Sequence, residues 1–338
     1  MKKAVLLGGS KAGLIEVPDP HPVKDWAVVK VYAAPMCAEY KSFASGGKAE
    51  FLGHEAAGEV VDVAQEGAVK PGDRVVVMPQ YPCGQCALCI AGDYIHCEHN
   101  FDFAKFCGTA EGQATMAQYL VKPMWLLPRI PDGVSYDKGS LACCALGPSF
   151  GAFQAMGLTA FDTVLITGAG PVGLGAVVNA RFRGSRVIVA ETVPYRMERA
   201  RELGAAHVID PKAPNGIARI KELTGGCGAD CALDCAGNVA AQRFCMDGVR
   251  RKGKVAFVGE CGDDLPVRVS PDLVRTGITI IGVWHYNLND FPKIMKVIQG
   301  SPVIDRLISH VFPMSRIQDA LELSATHQTA KIILHPWE

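Results

Sequence analysis

The chain has 338 residues, a length that suits two domains. Its 34 basic residues balance 34 acidic ones, so bulk charge favours neither nucleic acid nor an anionic membrane as a partner. Apolar residues make up 49% of the chain, enough for two cores, yet no apolar run approaches the roughly 20 residues of a membrane span.

The first residues, Met1-Lys2-Lys3-Ala4-Val5-Leu6-Leu7-Gly8, lack the long apolar stretch and small-residue cleavage site of a signal peptide and read as a strand. Short Val-rich runs at 26–31, 57–63 and 73–77 follow, separated by Gly and Pro. Pro71-Gly72-Asp73 is a turn before one of them. This predicts a compact β-rich domain over 1–150. From about 150 to 283 strand-like runs alternate with helical ones. Six strands are expected, at 164–167, 186–190, 207–209, 231–234, 255–258 and 279–282, which is the pattern of a doubly wound parallel sheet. Residues 284–338 hold two helical stretches, near 291–299 and 317–325, and a last strand at 331–334. That tail is too short to fold alone and is expected to return to the first domain.

Thirteen cysteines are many for this length. Their odd number and their clustering argue against a disulfide scaffold and for a reducing, cytoplasmic setting. Cys83, Cys86, Cys89 and Cys97 form C-x2-C-x2-C-x7-C. Four thiolates on one loop can close a tetrahedral zinc shell with no open position, so this site is structural. A second, dispersed set is Cys37 with the adjacent His54 and Glu55. Thiolate, imidazole and carboxylate are all competent zinc ligands, and three protein ligands plus a water make a catalytic site. Two zinc ions per chain are therefore expected.

Between the strand at 164–167 and an Ala/Val-rich helix stands Thr167-Gly168-Ala169-Gly170-Pro171-Val172-Gly173. Gly168, Gly170 and Gly173 are G-x-G-x-x-G in the strand–turn–helix setting that cradles a dinucleotide pyrophosphate. The next strand ends in Glu191, 23 residues past Gly168. A carboxylate there can accept the ribose hydroxyls and would repel a 2′-phosphate, so NAD is favoured over NADP.

Gly53-His54-Glu55-Ala56-Ala57-Gly58-Glu59-Val60, the four-cysteine lobe and the glycine turn with Glu191 together resemble the zinc-containing medium-chain dehydrogenase/reductase family over essentially the whole chain. Ile281-Gly282-Val283-Trp284-His285-Tyr286 is similar to its sorbitol (polyol) dehydrogenase branch. The resemblance implies a GroES-like catalytic domain, a Rossmann NAD domain inserted over 151–283, and a cleft between them. It implies a catalytic zinc on Cys37, His54 and, in the polyol branch, Glu55. It further implies NAD contacts from Gly168, Gly170, Pro171, Val172, Gly173, Glu191 and Arg196. Val258-Gly259-Glu260 and Val283-Trp284-His285 would flank the nicotinamide. A homodimer or homotetramer is expected through the strand near 279–282.

Two stretches depart from that family. After its zinc cysteine the family reads C-G-T/S-D-x-H, where the hydroxyl and the His carry the substrate proton outward. Here the run is Cys37-Ala38-Glu39-Tyr40-Lys41-Ser42, without that pair. Glu39 and Lys41 are the candidates to move the proton, with a surface ion pair as the competing reading. The polyol branch often has Glu-Pro before the first helix of the NAD domain; here Gly147-Pro148 stands instead. Cys143 and Cys144 lie just upstream, and burial in a packed segment is preferred over metal ligation for both. Cys107, Cys227, Cys231, Cys235, Cys245 and Cys261 show no ligand spacing and are expected in the core.

The reading is an NAD- and zinc-dependent secondary-alcohol dehydrogenase acting on a polyol, sugar or cyclitol. The alternatives are a threonine 3-dehydrogenase-like or simple alcohol dehydrogenase and, from another class, an NAD-sensing protein that has lost turnover. A zinc-free quinone reductase is disfavoured by Cys37, His54, Glu55 and Glu191.

Overall fold

A computed structural model describes residues 1–338. The chain divides into two compact units: Met1–Cys144 with Asn287–Gln299 and Ile308–Glu338, and Ala145–Tyr286 with Gly300–Leu307.

The first unit is built on strands β1 (Lys2–Gly8), β2 (Lys11–Glu16), β3 (Trp26–Pro35), β4 (Lys48–Ala49), β5 (Ala56–Val63), β6 (Arg74–Val77) and β7 (Tyr119–Pro123). β2, β1 and β4 make a small antiparallel sheet. β3 is central to the larger one, pairing with both β5 and β7. Its WAVVKVYAAP run is buried on both faces, which accounts for ten residues of strand with little alternation. Val29, Val31, Val60, Val75, Val77 and Leu120 pack in one core with Met314, Ile317 and Leu321 from the C-terminal end.

The second unit carries β8 (Thr163–Thr167), β9 (Arg186–Ala190), β10 (His207–Ile209), β11 (Ala229–Asp234), β12 (Val249–Phe257) and β13 (Thr279–Gly282). All pair in parallel, in the order β10-β9-β8-β11-β12-β13. This is the doubly wound arrangement, with the order reversing beside β8. β12 starts six residues before the expected 255 because Arg250, Arg251 and Lys252 open it with a polar, exposed stretch.

Two further strands, β14 (Ile308–Pro313) and β15 (Lys331–His335), complete the large sheet of the first unit. β15 pairs antiparallel with the end of β3, Leu334 opposite Ala34. Three short segments group with the second unit instead of the first, one of them residues 284–286, directly after β13. Residues 145–150 do so because the helix Gly147–Met156 packs on the helix Pro171–Phe182: the Asn179 amide donates to the Leu146 carbonyl at 2.8 Å and to Ser149 Oγ at 2.7 Å. Residues 300–307 do so because Arg199 donates to the Arg306 carbonyl at 2.6 Å. No helix is long and apolar enough to cross a membrane.

Candidate metal centres and dinucleotide site

The four-cysteine loop closes on itself. A single helical turn, Ala87–Ile90, seats Cys89 beside Cys86, and a 3-10 turn at Tyr94–His96 returns the chain to Cys97. Neighbouring sulfurs lie 3.5 to 4.0 Å apart. Four sulfurs about 2.3 Å from one zinc, at tetrahedral angles, stand about 3.8 Å from each other. The loop therefore has the size of a closed zinc–thiolate site. The Cys83 and His99 N–H groups both point at Cys97 Sγ, at 3.4 and 3.3 Å, and stabilise negative charge on it. Cys89→Ser should lower zinc content by one ion per chain. It should also open the lobe to chymotrypsin at Tyr94, which is now fully buried. Unchanged zinc content and unchanged proteolysis would show that the lobe is held without metal.

The second set assembles from three parts of the first unit. Cys37 follows the end of β3, His54 and Glu55 precede β5, and Cys144 ends the unit's first segment. The ligand atoms of these four residues lie within 4.8 Å of one another. His54 Nε2 is 3.2 Å from Cys144 Sγ and 3.8 Å from Glu55 Oε1. Cys144 thus belongs to the cluster, against the expectation that it was only buried. Its neighbour Cys143 turns the other way, toward the Val77 carbonyl at 3.5 Å, and is buried as expected.

Four ionisable side chains meet here, and the electrostatics show it. The Cys37 thiol is held well below its ordinary range, first by its contact with Cys144 and then, against burial, by His54 and the Lys331 charge. Burial works against a charged His54, but Cys37 and Glu39 outweigh it and raise the imidazole to about 11. A cluster that draws a proton onto a half-exposed histidine is one that needs a cation, and two thiolates with an imidazole suit zinc.

Two residues behind the ligands hold them. Lys331, from β15, donates to Glu55 Oε1 at 2.7 Å, and both side chains are completely buried. Burial pushes the Glu55 carboxyl up and Lys331 pulls it back; Lys331, against its own burial, is held charged by Glu55. At that distance and depth the pair is satisfied as an ion pair. The other Glu55 oxygen accepts the Cys144 N–H at 3.1 Å. Sequence reasoning missed Lys331. Its one signal was a lysine opening an otherwise apolar strand, Lys331-Ile332-Ile333-Leu334.

Glu39 starts the helix Glu39–Ala44 and is 9% exposed. One oxygen accepts the Cys37 N–H at 2.6 Å and the other faces His54 Nδ1 at 3.4 Å. Burial alone would raise this carboxyl, but His54 and the Cys37 N–H bring it below its usual range. A carboxylate on the outer nitrogen of a metal-facing histidine fixes the tautomer and the ring angle. Lys41 lies on the same helix but is exposed and joins none of these contacts.

In the second unit the glycine turn lies at the carboxyl end of β8. Gly168 has φ +81°, and a Cβ there would meet Ala236 at 2.9 Å. A Cβ on Gly173 would collide with the Gly168 carbonyl, while one on Gly170 would meet only the Arg196 guanidinium, in ordinary contact at 3.9 Å. Turn, helix packing and room for a ligand thus fall to three different glycines. Pro171 and Val172 open the helix Pro171–Phe182 behind them. Glu191 ends β9 and is buried. It accepts N–H groups from Ala169 at 2.6 Å, Thr192 at 2.6 Å and Val193 at 2.9 Å. The next strand ends share this edge: the Val258 and Gly259 N–H groups both donate to the Asp234 carbonyl at 3.0 Å, with Glu260 exposed beyond them. Val283 N–H binds the Phe257 carbonyl at 3.0 Å, His285 is buried and Trp284 is 46% exposed.

All thirteen cysteines are free thiols. Cys231 and Cys245 are core residues as expected, and Cys107, Cys235 and Cys261 are half-buried. Cys227 is exposed, a correction to the expectation. It lies in the turn after Gly225-Gly226, outside any packed element.

A glycine-turn nucleotide fold, a thiolate zinc lobe and a Cys/His/Cys/Glu cluster in one chain define a metal-dependent dehydrogenase. Comparison with known proteins agrees. Residues 23–132 match the alcohol dehydrogenase GroES-like domain and 171–300 the zinc-binding dehydrogenase domain. The sorbitol dehydrogenase of Bacillus subtilis (strain 168) is 31% identical, over 99% of this chain and 97% of that one. The erythritol/L-threitol dehydrogenase of Mycolicibacterium smegmatis is 29% identical, over 99% and 98%. The solved alcohol dehydrogenase TADH from Thermus sp. ATN1 superposes with a TM-score of 0.89 at 26% identity, covering 99% of both chains. The chain belongs to the zinc-containing medium-chain dehydrogenase/reductase family and is an NAD-dependent zinc alcohol/polyol dehydrogenase.

Proposed function

We propose that the enzyme oxidises a secondary hydroxyl of a polyol, sugar or cyclitol to a ketone, at the cluster of Cys37, His54, Cys144 and Glu55. The observation that carries this is the convergence of those four ligand atoms within 4.8 Å. Relatives named for sorbitol and for erythritol or L-threitol support the polyol class. When bound, zinc lowers the pKa of the substrate hydroxyl and NAD accepts the hydride. The protein's part is positioning. Cys37, His54 and Cys144 hold the metal, with two thiolates balancing its charge. Glu55 stands behind them, neutralised by Lys331, so it adds no net charge at the reacting centre. Glu39, on the Cys37 N–H and facing His54 Nδ1, orients the imidazole and is placed to take a proton from it.

Gly168, Gly170 and Gly173 cradle the pyrophosphate, and Arg196 stands beside Gly170. Glu191 faces the adenosine ribose, braced by three backbone N–H groups, and favours NAD over NADP. Glu191→Ala should shrink the ratio of kcat/KM for NAD over NADP by at least about tenfold, since it removes a carboxylate that a 2′-phosphate would face. An unchanged ratio would place cofactor choice elsewhere. β13 ends the parallel sheet with an unpaired edge, which supports a homodimer or homotetramer through residues 279–282. The test of function is NAD reduction by the zinc-replete protein over a panel of polyols, sugars, cyclitols and simple secondary alcohols. Turnover confined to simple alcohols would overturn the polyol assignment.

A further inference from the structure

A cavity of about 620 Å³ opens in the second unit, away from the glycine turn. Its walls come from the turn before β11, the start of β12 and the turn before β13. Those are the amino ends of the parallel strands, whereas the glycine turn lies at the carboxyl end of β8. Six residues of strand at about 3.3 Å each put the two edges roughly 20 Å apart. The cavity is therefore separate from the dinucleotide site.

Its lining is strongly basic in a chain of zero net charge. Lys221, Arg243, Arg250, Arg251 and Arg268 face two carboxylates, Asp247 and Asp272. Arg243 is bound to both of these, Arg268 shares Asp272, and Arg250 pairs with Asp230 at 2.6 Å. Lys221 and Arg251 are exposed and make no ion pair. Some of this charge answers the carboxyl-terminal dipoles of the helices Gly216–Leu223 and Val239–Gly248, which end here. Arg251 and Arg268 lie outside both helices and exceed that need. Met246, Val249 and Ile278 add apolar wall. A volume in the range of small-molecule sites, an apolar floor and a cationic rim with unpaired members describe a receptor for an amphipathic anion.

We propose that this cavity binds a small phosphate-bearing organic molecule, its apolar body on Met246, Val249 and Ile278 and its phosphate on Lys221 and Arg251. Cys227, exposed on the same wall, reports occupancy.

The test uses zinc-replete enzyme saturated with NADH, so that the dinucleotide site is filled, with 1-naphthyl phosphate as ligand and 1-naphthol and inorganic phosphate as controls. Calorimetry at low salt should show saturable binding of 1-naphthyl phosphate, weaker for either control and weakened by added salt. Maleimide labelling of Cys227, located by peptide mapping, should slow as the site fills. Lys221→Ala/Arg251→Ala, two exposed positions, should reduce affinity by at least about tenfold, the scale of losing two charge-assisted hydrogen bonds. Absence of saturable binding, equal affinity in the double variant, or binding that leaves Cys227 labelling unchanged would each overturn the proposal.

Discussion

Cys144→Ser should cost the enzyme its catalytic zinc and at least about 10³-fold in kcat, while Cys143→Ser, one residue away, should cost neither. The contrast follows from geometry. Cys144 Sγ is 3.2 Å from His54 Nε2, inside the ligand cluster, whereas Cys143 Sγ faces the Val77 carbonyl. A serine hydroxyl stays protonated near neutrality and is a poor zinc ligand, so the cluster is left with one thiolate. The magnitude reflects the chemistry lost: without the metal the substrate hydroxyl keeps a pKa near its value in water, many units above neutrality. Zinc content should fall from about two ions per chain to about one, with circular dichroism unchanged, because the four-cysteine loop is untouched. Two zincs and normal turnover in Cys144→Ser would remove Cys144 from the site and leave Cys37, His54 and Glu55 as the ligands.

Lys331→Met should destabilise the first unit by about 3–5 kcal/mol, the usual result of breaking a buried ion pair from one side. Lys331 and Glu55 are both completely buried, 2.7 Å apart. Methionine fills the volume of the lysine stem but leaves a carboxylate with no cation in a dry core. Glu55 would be driven toward its neutral form, the direction in which burial already pushes it. The Lys331 and Glu55 charges are then lost together, so the net charge behind Cys37 and Cys144 is unchanged and the loss is one of stability. The double variant Glu55→Gln/Lys331→Met should recover most of the stability, because it removes both charges together. Thermal unfolding of zinc-replete protein measures this. A loss under about 1 kcal/mol in the single variant would mean that water reaches the pair.

Much of this enzyme is legible along the chain. The parallel sheet is, because Thr163–Thr167 and Arg186–Ala190 are short apolar runs between helical segments, and a βαβ pattern has few other ways to fold. The glycine turn is, because its three positions sit within six residues and each meets a local steric demand. The four-cysteine lobe is as well, since its ligands span fifteen residues of one loop. The catalytic cluster needed the tertiary structure. Cys144 is 90 residues from His54, and Lys331 is 276 residues from Glu55. Lys331 arrives because β15 returns to pair with β3, Cys144 is tied in by its own N–H on Glu55, and neither distance leaves a spacing to read. Glu39 was ambiguous for a different reason. Beside Cys37 it could face solvent or the metal, and sequence offers no test of direction. Only the folded backbone shows one oxygen on the Cys37 N–H and the other facing His54. Local sterics and periodicity determine the frame; side chains brought together by long-range strand pairing, and the buried charge they must share, decide the site.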